Sequence, residues 1–243
     1  MVTEIDRFDR AGRTLPTRVL RPATGGPYPL FVWAHGFDAT VDYFAPLLRT
    51  IAARGYVVAA PTFPHTRLGG AGPVRYGDYV NQPADVSFVI RSLLARHPGL
   101  IDARRIAVGG HSLGAVTTMG LVANRCCLDP MVSAAVEVDG AQLRFPDGTP
   151  VAPAVPVLFV HGAADTTFPV TQSQAMYAAA HAPKFLVVIP GAPHTAFRIP
   201  ADYAVILRSI EDFLDAYVGK VPGACHLDCF PLLGSSFLPV SCL

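Results

Sequence analysis

The chain is 243 residues long, 51% hydrophobic and 15% charged, with a formal net charge of +1. That length suits one α/β domain with a sizeable core, and so little charge argues against a disordered chain. A near-neutral balance without a long basic run gives no reason to expect a nucleic-acid or anionic-membrane partner.

The opening MVTEIDRFDRAGRTLP carries acids early and lacks an apolar core, so it does not read as a secretory leader. No apolar run reaches the roughly 18 residues of a membrane span. The expectation is therefore a soluble, cytoplasmic protein, with a secreted mature form as the alternative.

Thr17 to Leu20 is a candidate antiparallel edge strand, and Leu30 to Ala34 (LFVWA) is the first buried strand. Phe44, Leu47, Leu48 and Ile51 follow helical spacing, which predicts a helix over Tyr43 to Arg54, stopped by Gly55. Tyr56 to Ala60 reads as a strand, and residues 61 to 80, rich in Gly, Pro and His, as a long surface loop. Beyond it the pattern predicts a helix over Pro83 to Arg96, a strand over Ile106 to Gly109 and a helix over Ser112 to Asn124. Strands are expected at Ala134 to Val138, Val155 to Val160 and Phe185 to Ile189, with helices at Thr171 to His181 and Ala201 to Val218. Short apolar strands alternating with helices imply βαβ units, hence a mostly parallel, doubly wound sheet covered on both faces. Residues 1–218 then form one α/β domain. Residues 219–243, where Pro, Gly and Cys recur without helical periodicity, form an appended tail.

Gly110-His111-Ser112-Leu113-Gly114 matches G-x-S-x-G between an expected strand and an expected helix. A nucleophilic serine needs that setting: a tight turn projects its hydroxyl, and small neighbours let the backbones approach. The bare pattern is weak, because a serine here could equally cap the helix. A serine hydroxyl also needs a base, and the base an orienting acid. Asp165, in HGAAD, follows one expected strand, and His194, in PGAPH, follows the next. Positions just past strand C-termini converge on one edge of an open sheet. Asp139, after the Ala134 to Val138 strand, is the alternative acid. The Leu113 N–H, opening a helix, and the Phe37 N–H, in His35-Gly36-Phe37 after the first buried strand, are the expected oxyanion donors. His35 is expected to hold its loop rather than to transfer protons. Phe63, Phe168 and Phe197, with Phe37, Leu113 and His65, are candidates for the pocket wall.

WAHGF, GHSLG, HGAAD and PGAPH, in this order, resemble α/β-hydrolases near the dienelactone-hydrolase, chlorophyllase and cutinase-like polyester-hydrolase groups, over about residues 15 to 218. The resemblance implies a serine esterase with Ser112, Asp165 and His194 as triad, Phe37 and Leu113 as oxyanion donors, and no cofactor. Serine, not cysteine, in the nucleophile position departs from the dienelactone hydrolases. The short stretch between Val138 and Val155 leaves no room for a lid, unlike lidded lipases. The C-terminal disulfide pattern expected of secreted cutinase-like enzymes is missing. The expected substrate is a small-molecule or polymeric carboxylic ester, with thioester or amide cleavage, or an inactive binding protein on this fold, as alternatives.

Five cysteines do not suggest a disulfide framework. Cys225, His226 and Cys229 make a poor zinc set, so the tail is expected to hold free thiols or one disulfide, and no metal is expected. His35, His111, His161 and His194 stand near the expected strand ends and invite a metal reading, but such sites usually add Asp, Glu or Cys ligands at tight spacing, and the triad accounts for these positions better. Cys126 and Cys127 are expected as buried thiols, with a vicinal disulfide as the alternative.

Overall fold

The computed structural model describes residues 1–69, 73–146, 148–181 and 183–219. Eight strands form one sheet: β1 (Val2–Arg10), β2 (Arg13–Arg21), β3 (Tyr28–Ala34), β4 (Val57–Pro61), β5 (Ile101–His111), β6 (Ala134–Val138), β7 (Val157–Gly162) and β8 (Lys184–Ile189). Their order is β1-β2-β4-β3-β5-β6-β7-β8. The first two strands pair antiparallel, β2 also meets β4 antiparallel, and every later neighbour is parallel. Five α-helices cover the sheet: α1 (Ala45–Ala53), α2 (Gln82–Arg96), α3 (Leu113–Ala123), α4 (Thr171–Ala179) and α5 (Pro200–Leu214). Among the described residues no helix is long and apolar enough to cross a membrane.

Alternation along the central strands sorts their side chains into two cores. Phe31 and Trp33 of β3 join Val58, Val136 and Leu158 against α1 and α5. Leu30, Val32 and Ala34 of the same strand join Val57, Val108 and Phe159 against α2, α3 and α4. Both faces are thus dry, which is why these strands read as continuous apolar runs. Helix α3 is buried along all eleven residues, so LGAVTTMGLVA shows no polar stripe. Prolines in the first turns of α1, α2 and α5 help to set where those helices begin.

The edge differs from expectation. β2 is longer than Thr17 to Leu20, and β1 had no apolar alternation to reveal it. Its inward side is Glu4, Asp6, Phe8 and Arg10, and ion pairs satisfy the charges there. Arg21 meets Glu4 at 2.7 Å, Arg96 of α2 meets Asp6 at 2.5 Å, and Arg10 meets Asp85 of α2 at 2.7 Å. Ala11 (φ 50°) and Gly12 (φ 78°) make the hairpin turn between the two strands. The 61–80 loop also holds a 3-10 helix, Tyr76–Asn81. The last helix ends at Leu214 and passes into a π-helical turn, Asp215–Gly219. The connection 139–156 carries no helix among its described residues.

Cys126 and Cys127 are not buried thiols. They form a vicinal disulfide in the turn after α3, Cys126 exposed and Cys127 half-buried. The chain there has left α3, and Cys127 packs against the cluster of Leu113, Val116 and Phe145. Cys225, His226, Cys229 and Cys242, with the rest of the expected tail beyond Gly219, lie outside the described residues.

Candidate active site

The C-terminal ends of the parallel strands meet along one edge of the sheet, where an open α/β fold binds ligands. β5 ends there at His111. Ser112 follows with φ 57° and ψ −121°, and α3 begins at Leu113. Positive φ at a non-glycine residue costs on the order of 1–3 kcal/mol and persists only where the surroundings enforce it. Here they do. The Ser112 N–H donates to the Val138 carbonyl at 2.9 Å, while the Ser112 carbonyl accepts from Ala115 and Val116 at 2.9 and 3.1 Å. The flanking glycines are dictated by space. A Cβ on Gly110 would run into the Gly114 carbonyl, and one on Gly114 into the Ala34 carbonyl.

His194 follows β8, and Asp165 follows β7. The His194 Nε2 lies 2.8 Å from Ser112 Oγ, and its Nδ1 lies 2.7 Å from Asp165 Oδ2. Asp165 Oδ1 accepts the Thr167 and Phe168 N–H groups at 2.7 and 3.0 Å. Both oxygens of this fully buried carboxylate are therefore engaged, and its second lobe faces the imidazole. With the carboxylate accepting at Nδ1, the hydrogen sits on Nδ1 and Nε2 is left to accept the serine proton. His111 adds support from the turn before Ser112: its Nε2–H donates to the His194 carbonyl at 3.0 Å. Burial lowers its pKa to about 3, so it acts as a neutral strut.

Asp139 does not reach His194 in this way. It turns the chain after β6 with φ 50°, and its Oδ1 accepts the Gly162 N–H at 2.8 Å. Its buried Oδ2 has no hydrogen-bond partner among the described residues and lies 3.7 Å from His111 Nε2. Desolvation pushes this carboxyl well above the usual range. Its position favours a neutral, turn-forming side chain over the orienting acid.

The His35-Gly36-Phe37 loop leaves β3 beside the elbow. A Cβ on Gly36 would sit 3.3 Å from both the His111 carbonyl and Ser112 Cβ, so this backbone packs directly on the Ser112 turn. The His35 Nδ1–H donates to the Gly36 carbonyl at 2.8 Å, and its Nε2 accepts the Phe63 N–H at 3.1 Å. Burial lowers the pKa of this ring to about 4, keeping it neutral. The Asp38 N–H donates to the Thr66 carbonyl at 2.8 Å and anchors the loop from its other side. Phe37 and Leu113 thus flank Ser112, one from a clamped loop and one from a helix N-terminus whose first N–H groups lack intrahelical partners.

A cleft of about 530 Å³ opens over Ser112 and His194, walled by Phe37, Ala39, Tyr43, Leu68, Thr195 and Arg198. Of the expected wall residues beyond Phe37, none lines it. Phe63 is fully buried and packs on the His35 ring, 5.1 Å between centroids, so it supports the loop from inside the core. Phe168 stands edge-on to His194 at 5.9 Å and joins Leu113, Val116 and Phe145 in a separate apolar cluster. Phe197 packs behind the site against His111 and Phe44, both at 5.1 Å. His65, half-buried, is also outside the wall.

Sequence reasoning passed over Glu137 and Ser173, and weighed His161 only as one of four histidines near the strand ends. His161 Nε2 is 2.8 Å from the Phe168 carbonyl and 3.3 Å from Asp165 Oδ2, and its Nδ1 is 2.6 Å from Ser173 Oγ. Ser173 in turn reaches Glu137 Oε2 at 2.8 Å, and Glu137 Oε1 accepts the Gly140 N–H. The available signal was a lone glutamate inside the apolar strand AAVEV. Asp139, His161 and Asp165 offer atoms within 4.8 Å of one another, as do Glu4, Asp6 and His97 near the sheet edge. In the first group both His161 nitrogens are already hydrogen-bonded, so ligation would break the contacts just described.

Comparison with known proteins bears on this arrangement. The Chlorophyllase family profile matches residues 3–171, most of the chain and a span that includes Ser112 and Asp165. The chain belongs to the Chlorophyllase family. Chlorophyllase-1 of Arabidopsis thaliana is 27% identical over 129 residues, 51% of this chain and 39% of that protein. An uncharacterized protein of Mycobacterium tuberculosis H37Rv is 34% identical over 130 residues, 47% of this chain and 46% of its own. The alignments span less than half of either relative. Solved structures show the same fold at low identity. Esterase 2 of Thermogutta terrifontis superposes with a TM-score of 0.73 at 20% identity, covering 91% of this chain and 94% of that one. A ferulic acid esterase of Streptomyces cinnamoneus superposes at 0.71 with 19% identity, covering 93% and 89%. The architecture of this family member is the α/β-hydrolase fold.

Proposed function

We propose that the chain is a serine hydrolase that cleaves carboxylic esters through an acyl-enzyme on Ser112. The observation that carries this is the unbroken line from Asp165 Oδ2 through His194 to Ser112 Oγ, with contacts of 2.7 and 2.8 Å, at the floor of the cleft. Membership of the Chlorophyllase family and the fold of the esterases above support the same reading.

In the proposed reaction His194 Nε2 takes the hydroxyl proton as Ser112 Oγ attacks the ester carbonyl. The imidazolium so formed is held by the Asp165 charge on its far side. The tetrahedral oxyanion is received by the Leu113 and Phe37 N–H groups. The clamps on the His35 loop and the elbow hold these donors in place beforehand, so little reorganisation is needed when charge develops. His194 returns its proton to the departing alkoxide. Water, deprotonated by the same imidazole, then releases the acid. No step calls on a cofactor.

Phe37, Ala39 and Leu68 suit an ester with an apolar portion, while Thr40, Thr195 and Arg198 add polar lining. With no helix among the described residues of the 139–156 connection, the cleft suits substrates that arrive directly from solvent. The test is a series of p-nitrophenyl esters of rising chain length, run beside a thioester, an anilide and a polyester film. Ester turnover that falls by about 10⁴-fold or more in Ser112→Ala supports the proposal. Turnover that survives this change refutes it.

A further inference from the structure

Behind the triad a chain of side chains runs into the protein: Asp165, His161, Ser173, Glu137. The last three are fully buried, and the proposed triad needs none of them for proton transfer. They come from three elements: Glu137 from β6, His161 from β7 and Ser173 from α4. Their hydrogens can be counted. His161 Nε2 faces only acceptors, the Phe168 carbonyl at 2.8 Å and Asp165 Oδ2 at 3.3 Å, so it carries a hydrogen. Ser173 Oγ stands between His161 Nδ1 at 2.6 Å and Glu137 Oε2 at 2.8 Å. Glu137 Oε1 is already an acceptor, from Gly140. If Glu137 were ionised and His161 neutral, the one hydroxyl hydrogen of Ser173 would have two acceptors to serve. One would be left unpaired in a dry interior. Both contacts are satisfied only when a further proton resides on the chain.

We infer that Glu137, Ser173 and His161 form a proton-holding relay that positions Asp165, with one proton resident between the glutamate and the imidazole. Their role is positioning: none touches the cleft. The proton keeps Ser173 donating to His161 Nδ1, which keeps the His161 Nε2–H on the Phe168 carbonyl and 3.3 Å from Asp165 Oδ2. Asp165 Oδ2 is thereby shared between two imidazoles, and its lobe is held in line with His194. Loss of the proton sets Glu137 and His161 in competition for Ser173 and loosens that aim.

Electrostatics agrees on where the proton sits. Desolvation first, then the nearby Asp165 charge, raises Glu137 to about 8 against the bonds from Ser173 and Gly140. Desolvation lowers His161, so the imidazole stays neutral. The ionisable neighbours are Asp165 and His194 on the loops after β7 and β8, Asp139 on the turn beyond Glu137, and His111 at the end of β5. Ser173 is the side chain α4 presents, and α3 contributes Ala115 near Gly140.

The inference rests on Asp165 being the triad acid, and its test has an arm that needs no activity. Glu137→Gln carries a permanent donor at the Oε2 position and an acceptor at Oε1. Melting temperature is followed from pH 5 to 9.5 for the wild type, Glu137→Gln and Ser173→Ala. A carboxyl raised in the folded state binds a proton that the unfolded chain releases above about pH 4.5, so it weakens the fold as pH rises to about 8 and no further. The melting temperature of Glu137→Gln is therefore expected to gain on the wild type by about 5 °C or more between pH 5 and 8, then run parallel. A constant offset across that range overturns the resident proton. In the second arm, wild-type kcat on a p-nitrophenyl ester falls above pH 8, Glu137→Gln holds its own value there, and Ser173→Ala loses about 10-fold or more in kcat with little change in KM. A basic limb shared by wild type and Glu137→Gln, or Ser173→Ala at wild-type kcat, overturns the positioning role. A wild type that hydrolyses no ester at all refutes the esterase proposal instead, and the melting arm still decides the proton.

Discussion

Two buried carboxylates stand at neighbouring strand ends, and the choice between them is open to a matched pair of substitutions. In Asp165→Asn the Thr167 and Phe168 N–H groups still require an oxygen at Oδ1, at 2.7 and 3.0 Å. The amide nitrogen is therefore forced to the Oδ2 position, 2.7 Å from His194 Nδ1 and 3.3 Å from His161 Nε2. A donor then meets two donors. His194 relieves the clash by moving its hydrogen to Nε2, where it faces Ser112 Oγ as a donor and can no longer accept the serine proton. The loss of the base, and of the charge that balances the imidazolium, is expected to lower kcat by about 10³ to 10⁴, or roughly 4–5.5 kcal/mol of transition-state stabilisation. Asp139→Asn behaves differently. Its oxygen goes to Gly162 N–H at 2.8 Å, and its amide occupies the place of an oxygen that has no partner among the described residues. The loss there is expected to stay below about 10-fold, since desolvation holds this carboxyl well above the usual range and its Oδ2 makes no hydrogen bond among the described residues that the change would break. Stopped assays on a p-nitrophenyl ester, with circular dichroism to confirm folding, measure both. If Asp139→Asn loses more kcat than Asp165→Asn, the assignment of the acid is wrong.

Further outcomes follow from the packing. Phe63→Ala empties a fully buried site and is expected to cost about 3–5 kcal/mol in urea unfolding, whereas Phe37→Ala, 37% exposed on the cleft, shifts KM and leaves stability within about 1 kcal/mol. Gly114→Ala drives a methyl into the Ala34 carbonyl, so the elbow cannot form; soluble yield and Ser112 reactivity should fall together, and a wild-type yield with full activity would contradict the steric account. Arg13→Met removes the guanidinium that binds Asp78 and the fully buried Asp85 through 2.7–3.0 Å contacts, at an expected cost of about 3 kcal/mol by denaturant titration. His35, lowered by burial to about 4, stays neutral in the fold while the unfolded chain takes up a proton below about pH 6.5. Stability should therefore fall as pH drops from about 6.5 to 4, by roughly 3 kcal/mol from this group, and His35→Gln should lessen that slope.

Much of this was legible in the sequence because the buried strands are uniformly apolar and end in small or polar residues. β3 to β8 announce themselves that way, and Ser112, Asp165 and His194 each stand directly beyond one of them. β1 was hidden because its inward positions include Glu4, Asp6 and Arg10, whose partners, such as Arg96, arrive from distant segments. Phe63 misled for a related reason. A phenylalanine in a glycine- and proline-rich loop reads as a surface wall, yet the loop turns inward there to carry the N–H that holds His35. Glu137 was visible as a misfit in AAVEV, but its partner Ser173 lies 36 residues further on, and no local pattern joins them. Pairings that only tertiary structure brings about were thus the part sequence could not supply.

The most direct trial of the central claim is covalent. Folded protein is treated with a fluorophosphonate, digested, and its peptides read by mass spectrometry. A single adduct on Ser112, absent in Ser112→Ala and formed at least about 100-fold more slowly in His194→Ala, is the expected result. Folded protein that takes no label, or takes it on a residue other than Ser112, would contradict the account.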